Sequence, residues 1–229
     1  SAAMGLSSGG AISRRARLLT AMSTGARIRK ALKQMVGPHR VMAAVYCSVV
    51  PRANRQWLRE LRRLVGGNIT IVSHRTRLGL KIRYPRPGTI GADRLADACG
   101  AAWYHGVPVI VADFGTATTL DVVSGAREYV GGVIAPGQAI IGECLAAKTA
   151  LLPRIRSRSP CGGIGKSTAG AMQIGAVVGY RGLVREITGH LLKAMGGKRS
   201  VKLCATGGYA REALRGMDLP FVIDPDLTL

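Results

Sequence analysis

The sequence is poor in acidic and aromatic residues, and it has no long hydrophobic run. It has 12 acidic residues against 33 lysines and arginines, for a net charge of +21, and aromatic residues make up only 4%. Its longest apolar runs are Val107–Ala112 and Val41–Cys47, far shorter than the roughly 20 residues of a membrane-spanning helix. No secretory segment is recognisable either. We therefore expect a cytoplasmic protein with no membrane partner.

The five cysteines give neither a zinc motif nor a disulfide framework. They are scattered, none has the CxxC spacing of a metal site, and their number is odd. Scattered cysteines of this kind are typical of reduced thiols in the cytoplasm.

The positive charge is concentrated in the first part of the chain. Residues 1–92 hold 18 basic residues and one acid, Glu60, whereas residues 93–229 hold 15 basic and 11 acidic residues. A field of this sign attracts polyanions, whether nucleic acids or nucleotide phosphates. The sequence lacks an aromatic RNA-binding motif, zinc-finger spacing and a helix-turn-helix signature. A solvated arginine-rich surface is therefore favoured over a nucleic-acid partner.

Strand and helix patterns alternate along the chain, which predicts an α/β fold. Residues 1–13 are small and predict a disordered start. Strands are predicted over Val41–Val50, Ile69–Val72, Val107–Ala112, Leu120–Val123, Val130–Ile134, Val201–Ala205 and Phe221–Ile223. Helices are predicted over Arg14–Met35, Arg55–Val65, Leu95–Tyr104, residues 136–147, residues 168–195 with a break near Gly179, and Ala210–Leu214. We expect two subdomains, residues 1–106 and 107–229.

The segment Val107–Gly125 (VPVIVADFGTATTLDVVSG) is typical of a β-hairpin with a polar tip. Asp113 ends the first predicted strand, Gly115 supplies a tight turn, and three hydroxyl residues follow it: Thr116, Thr118 and Thr119. Backbone N–H and hydroxyl groups at such a tip can hold a phosphate, while the carboxylate holds a cation beside it. An ordinary polar hairpin turn has the same pattern, so the local sequence leaves both interpretations open.

The residues Gly91-Ala92-Asp93-Arg94 stand at the start of a predicted helix. A carboxylate at this position is often only an N-terminal cap. The same pair could also act on an anionic substrate with a hydroxyl group, because Asp93 can accept a proton and Arg94 can bind a carboxylate. Tyr84, in the proline-rich loop IRYPRPGTI, could pack over the same site.

Two short motifs resemble nucleotide sites of other proteins but lack their context. Residues 159–168 (SPCGGIGKST) end like a P-loop, yet Pro160 stands where the first glycine is required. Asp113-Phe114-Gly115 matches a protein-kinase triplet, but the other kinase motifs are missing before it. Both interpretations are rejected. The glycines of GGVIAPG and ATGGYA instead indicate places where the backbone approaches something closely.

Taken in order, the motifs GADR, DFGTATT, GGVIAPG, LLPRI, GKST and ATGGYA resemble those of type III pantothenate kinases. These are bacterial members of the acetate kinase–sugar kinase–Hsp70–actin superfamily, and the resemblance covers roughly residues 41–229. It implies two ribonuclease H-like (actin-like) subdomains with a cleft between them, the first of them incomplete. It also implies a cytoplasmic homodimer that transfers phosphate from ATP to the primary hydroxyl of pantothenate. The product, 4'-phosphopantothenate, is the first intermediate of coenzyme A biosynthesis.

The resemblance assigns roles to particular residues of this sequence. The residues implied to bind pantothenate are Tyr84, Gly91, Ala92, Asp93, Arg94 and Thr168, with Asp93 as the general base. The residues implied to bind ATP are Gly115, Thr116, Gly207 and Gly208. Asp113 is implied to hold a monovalent cation, potassium or ammonium, and Mg²⁺ is implied to accompany ATP.

The family's first phosphate loop, DxGNT, does not occur in this sequence, whose first aspartate is Asp93. Either that segment has been clipped or replaced, or the protein has lost it. In both cases we expect weaker ATP binding, with a loss of roughly a thousandfold or more in rate. The alternative function is a catalytically impaired relative that acts as a basic binding or regulatory protein.

Overall fold

A computed structural model describes residues 2–19, 24–155, 162–197 and 200–229, and it has the expected mixed α/β fold. The chain divides into two compact units. The first comprises Ser1–Gly79, Pro85–Ala96 and Asp226–Leu229, and the second comprises Leu80–Tyr84 and Asp97–Pro225. The units interleave along the chain, whereas the sequence suggested one boundary after residue 106.

The first unit contains two pairs of strands and two helices. Strands β1 (Ala2–Ser8) and β2 (Ala11–Leu18) form an antiparallel hairpin. Helix α1 (Gly25–Val36), strand β3 (Ala44–Tyr46), helix α2 (Pro51–Leu64) and strand β4 (Ile69–Ile71) follow, and β3 pairs with β4 in parallel. Buried side chains from these elements form one core, made of Met4, Ile28, Leu32, Tyr46 and Trp57.

The start of the chain differs from the sequence prediction. Residues 1–13 were predicted to be disordered, but Gly9 and Gly10 have φ angles of +61° and +84°, the conformation that a two-residue hairpin turn requires. The helix predicted from Arg14 begins only at Gly25, after Thr24 accepts a hydrogen bond from the N–H of Arg27. The preceding residues as far as Leu18 belong to β2.

The second unit is built on a six-stranded mixed sheet. Its strands are β5 (Lys81–Ile82), β6 (Val109–Phe114), β7 (Ala117–Val123), β8 (Glu128–Pro136), β9 (Lys202–Thr206) and β10 (Phe221–Ile223), in the order β10-β9-β6-β7-β8-β5. Strand β7 runs antiparallel to its neighbours β6 and β8, whereas β9 is parallel to β6 and to β10. Because β5 pairs with β8, residues 80–84 join this unit.

Residues 180–194 form a helix that packs against this sheet, where Val184 and Leu191 share a core with Ile110 and Leu203. Helix α3 (Ala92–Tyr104) begins in the first unit and ends in the second, and it is followed by α4 (Gln138–Lys148), α5 (Thr168–Ile174), α6 (Tyr180–Ala194) and α7 (Ala210–Ala213). A π-helical segment, Gly175–Gly179, separates α5 from α6, so the helix changes its winding where the sequence suggested a break. In the described part of the chain, no helix has both the length and the apolar character needed to cross a membrane.

Candidate active site

The hairpin predicted around Asp113 is confirmed, and it forms the centre of the second unit. Strands β6 and β7 are joined by Gly115 and Thr116, which we call the hairpin tip. Asp113 lies inside β6 as its second-to-last residue, so the prediction that it ends the strand at Ala112 was wrong. It is half-buried, and Thr116 is exposed.

The turn at Gly207 lies directly against Asp113. Because β9 is parallel to β6, Thr206 pairs with Asp113, and the chain then turns at Gly207 with a φ of +94°. A Cβ atom at Gly207 would overlap the Oδ1 of Asp113 and lie 2.6 Å from the backbone N and O of Phe114. Only glycine fits here. The carboxylate, the hairpin tip and the Gly207-Gly208 turn therefore lie at one edge of the sheet.

Gly137 also packs against the hairpin tip. Its N–H donates to the carbonyl oxygen of Thr116 at 3.0 Å, and a Cβ there would lie 2.5 Å from the carbonyl oxygen of Gly115. The signal in the sequence was the glycine-rich segment GGVIAPG, whose predicted close backbone approach is confirmed.

A buried hydrogen bond joins β7 to helix α6 next to this tip. The Oγ1 of Thr118 and the hydroxyl of Tyr180 are 2.6 Å apart, and both residues are almost completely buried. Burial raises the pKa of Tyr180, the hydrogen bond with Thr118 lowers it, and the negative charge of Asp113 raises it again. The phenol therefore keeps its proton at neutral pH. Sequence reasoning had placed the Thr118 hydroxyl at the polar hairpin tip, whereas the structure buries it inside β7; it had not singled out Tyr180.

Tyr84 lies against strand β8 within the second unit. Its ring centroid is 6.2 Å from that of Tyr129, and a Cβ on Gly131 would meet its Cε2 at 3.5 Å. Gly131 has a φ of +120°, which other residues rarely adopt. The hydroxyl of Tyr129 donates to the Oδ1 of the buried Asp121 at 2.7 Å. These contacts fix the position of Tyr84.

The GADR residues begin helix α3 in the first unit. The Oδ1 of Asp93 accepts a hydrogen bond from the N–H of Arg94 at 2.8 Å. A Cβ at Gly91 would lie 2.5 Å from this oxygen and 3.6 Å from the Cγ1 of Val49. The carboxylate thus occupies the space that a side chain at Gly91 would need. Asp93 and Ala92 are half-buried.

Thr168 is the first residue of α5 and is exposed to solvent. The hydroxyl of Ser167 before it accepts a hydrogen bond from the N–H of Gly170 at 3.1 Å and caps the helix. The rejected P-loop begins at residues 159–161, which lie outside the described residues, as does Cys161. The other four cysteines, Cys47, Cys99, Cys144 and Cys204, form no disulfide bonds with one another.

Within the described ranges, no three His, Cys, Asp or Glu side chains come together as metal ligands.

The comparisons with known proteins agree on one family. The sequence matches the family profile "type III pantothenate kinase" over residues 1–190. It is 48% identical over 198 residues to the type III pantothenate kinase of Akkermansia muciniphila, covering 86% of this chain and 79% of that protein. It is 38% identical over 185 residues to that of Methylacidiphilum infernorum, covering 81% of this chain and 67% of that protein.

A solved structure has the same fold. It is a Campylobacter jejuni protein assigned to the Baf family of transcriptional activators, with a TM-score of 0.56 and 20% identity, covering 86% of this chain and 83% of that one. The sequence comparisons define a kinase. The chain belongs to the type III pantothenate kinase family, and the match includes the residues before 41 that the motif-based resemblance did not cover.

Proposed function

We propose that the protein phosphorylates pantothenate with ATP to give 4'-phosphopantothenate, the first step of coenzyme A biosynthesis. The observation that carries this proposal is the family match over residues 1–190, with a named relative at 48% identity. We expect it to act as a homodimer in the cytoplasm, as the family resemblance implies.

We assign the nucleotide to the sheet edge of the second unit. Gly115 and Thr116 of the hairpin tip would hold the phosphates through N–H and hydroxyl donors. Gly207 and Gly208 would leave room for adenosine, since neither carries a side chain. Both segments lie beside Asp113, so phosphate and cation would share one site.

The residues at this edge fit the cations that the reaction uses. One half-buried carboxylate, Asp113, with hydroxyl and carbonyl oxygens nearby, suits a potassium or ammonium ion. Mg²⁺ is usually held by one or two carboxylates together with substrate phosphates and water. Such a site does not need a cluster of three ligating side chains, and none is found among the described residues. When bound, these ions would neutralise the charge that phosphoryl transfer moves.

We assign pantothenate to Tyr84, Gly91, Ala92, Asp93, Arg94 and Thr168. Asp93 would accept the proton of the primary hydroxyl as its oxygen bonds to the γ-phosphorus and ADP departs. Arg94 would bind the pantothenate carboxylate with its guanidinium. Such transfer depends mainly on alignment and charge neutralisation, so the fixed start of α3 supports this role for Asp93.

The test is an assay with ATP, Mg²⁺, potassium and pantothenate, read by mass spectrometry of 4'-phosphopantothenate. We expect Asp93→Asn to lower kcat by roughly 10²- to 10⁴-fold, the usual contribution of a general base. The KM for ATP should stay close to that of the wild type.

Asp218→Asn is the matched control, because Asp218 is exposed and its substitution should leave kcat unchanged. A wild-type protein that neither forms the product nor binds pantothenate in calorimetry would overturn the proposal. A DNA gel shift that weakens steeply with salt would then favour the alternative, a basic binding or regulatory protein, which the net charge of +21 supports.

A further inference from the structure

We propose that Thr118 and Tyr180 are positioning residues that fix the hairpin tip for ATP. This inference rests on the proposed function only in assigning the nucleotide to that tip. Neither residue would touch the substrate; both would act through Asp113 and Thr116.

Thr118 and Tyr180 form a polar pair at a buried position that apolar side chains could fill. Thr118 lies on β7 two residues before Leu120, and alternate residues of a strand face the same side. Leu120 and Val122 from this face belong to the core beneath α6. Thr118 and Tyr180 have 0% and 1% of their surface exposed, and a buried hydroxyl costs free energy unless it is hydrogen-bonded. Their 2.6 Å hydrogen bond gives each buried hydroxyl a partner and ties β7 to α6 at one point.

The hydrogen bond between Thr118 and Tyr180 lies next to the hairpin tip. Thr118 pairs with Phe114 across the β6–β7 hairpin, one residue beyond Asp113. It is two residues from Thr116 in the chain. The charge of Asp113 acts on the Tyr180 hydroxyl, so the phenol also lies within electrostatic reach of the carboxylate. A change in this bond is therefore transmitted to the tip directly.

The π-helical segment Gly175–Gly179 ends immediately before Tyr180. Such segments are rare and occur frequently at functional sites. Its wider turn holds one residue more than an α-helical turn, which changes the direction of the following side chains by about 100°. The segment thus sets the direction in which Tyr180 leaves the helix.

The experiment compares Thr118→Val and Tyr180→Phe with the wild type. Each removes one hydroxyl of the pair at nearly constant volume. We expect a roughly tenfold weaker Kd for ATP in calorimetry without pantothenate, and a similar rise in the KM for ATP, since the tip loses one fixed contact. The KM for pantothenate should change by less than about twofold. Thr118→Ser, which keeps the hydroxyl, should restore ATP binding.

Thr188→Val is the matched control. Thr188 is also fully buried, lies on α6 and donates to the carbonyl oxygen of Val184 at 2.7 Å, within its own helix. We expect this variant to lose stability without a change in ATP affinity.

The two proposals fail in different ways. If the wild type binds ATP but does not phosphorylate pantothenate, the proposed function fails. The positioning role of Thr118 and Tyr180 is still tested, by the Kd for ATP of the variants compared with the wild type. The inference is overturned if the wild type does not bind ATP. It is also overturned if Thr118→Val and Tyr180→Phe bind ATP as the wild type does, or if Thr188→Val weakens ATP binding equally. If Thr118→Val does not fold, the comparison of Tyr180→Phe with Thr188→Val decides.

Discussion

Glu60 keeps its charge although its side chain is completely shielded from solvent between α1 and α2. The Nε of Arg29 lies 2.8 Å from its Oε2, and the Nη1 of Arg63 lies 3.1 Å from its Oε1. The hydrogen bond from Arg29 is the largest influence on its pKa, and together with Arg63 it outweighs the effect of burial. The result is a pKa lowered to about 2.

This lowered pKa predicts a pH-dependent effect of Glu60→Gln. The native state favours the ionised form, so the stabilisation is present above the ordinary pKa of about 4.5 and is lost as the pH falls towards 2. Glu60→Gln should therefore unfold at lower urea concentration than the wild type at pH 7, and the difference should shrink between pH 4.5 and 2. Glu186→Gln, at an exposed position, should match the wild type throughout. A difference that stays constant down to pH 2 would contradict this account.

The cysteines should differ widely in reactivity. Burial is the main cause that raises the pKa of Cys204 to about 12, and the charge of Asp224 adds to it. The thiolate is the reactive form, so iodoacetamide at pH 8 should modify the exposed Cys144 long before Cys204. Peptide mass spectrometry of samples taken over time measures the modification rates of Cys144 and Cys204. The protein unfolded in urea is the control, because both thiols are then equally accessible. Equal native rates would show that Cys204 is accessible.

At the scale of single elements, glycines of α6 offer a test of helix stability. A Cβ at Gly182 or Gly189 would meet no atom within 4 Å, and both positions lie inside α6. Alanine is favoured over glycine in a helix by up to about 1 kcal/mol. Gly182→Ala and Gly189→Ala should therefore raise the unfolding midpoint. Gly207→Ala should lower it, because its Cβ would overlap Asp113 and Phe114; the reverse order would contradict the packing described above.

The elements also show what the sequence could and could not predict. Runs of apolar and β-branched residues, which favour buried strands, predicted β10 at its observed bounds, but they located β6 and β7 with displaced ends. The helix predicted over Arg14–Met35 was correct only in its second half. Ile28 and Leu32 face the core from α1, but the residues from Arg14 to Leu18 belong to strand β2. The Gly9-Gly10 turn was interpreted as flexibility.

The composition of the candidate site was predictable, but its contacts were not. The motifs around Asp113 and Asp93 could be found because their residue types suit phosphate, cation and proton chemistry. The contact of Gly207 with Asp113 depends on the parallel pairing of β6 and β9, which are far apart in sequence. The Thr118–Tyr180 hydrogen bond likewise joins residues 62 positions apart in the chain. A local sequence pattern cannot predict a contact between residues so widely separated.

At the scale of the whole molecule, the net charge of +21 should make stability depend on salt. Like charges repel in the compact state, and the screening length falls from about 10 Å at 0.1 M to about 3 Å at 1 M. We expect the Tm to rise as NaCl increases from about 0.05 to 0.5 M. Choline chloride should have the same effect, which separates screening from binding of a small cation. A falling Tm would mean that local ion pairs outweigh the repulsion.

The chain passes between its two units four times, after residues 79, 84, 96 and 225. No single cut in the gene can therefore yield either unit intact. A fragment limited to residues 97–225 would lack β5, which would leave β8 as an unprotected sheet edge inviting aggregation. Biophysical work on either half should begin with the uncut polypeptide.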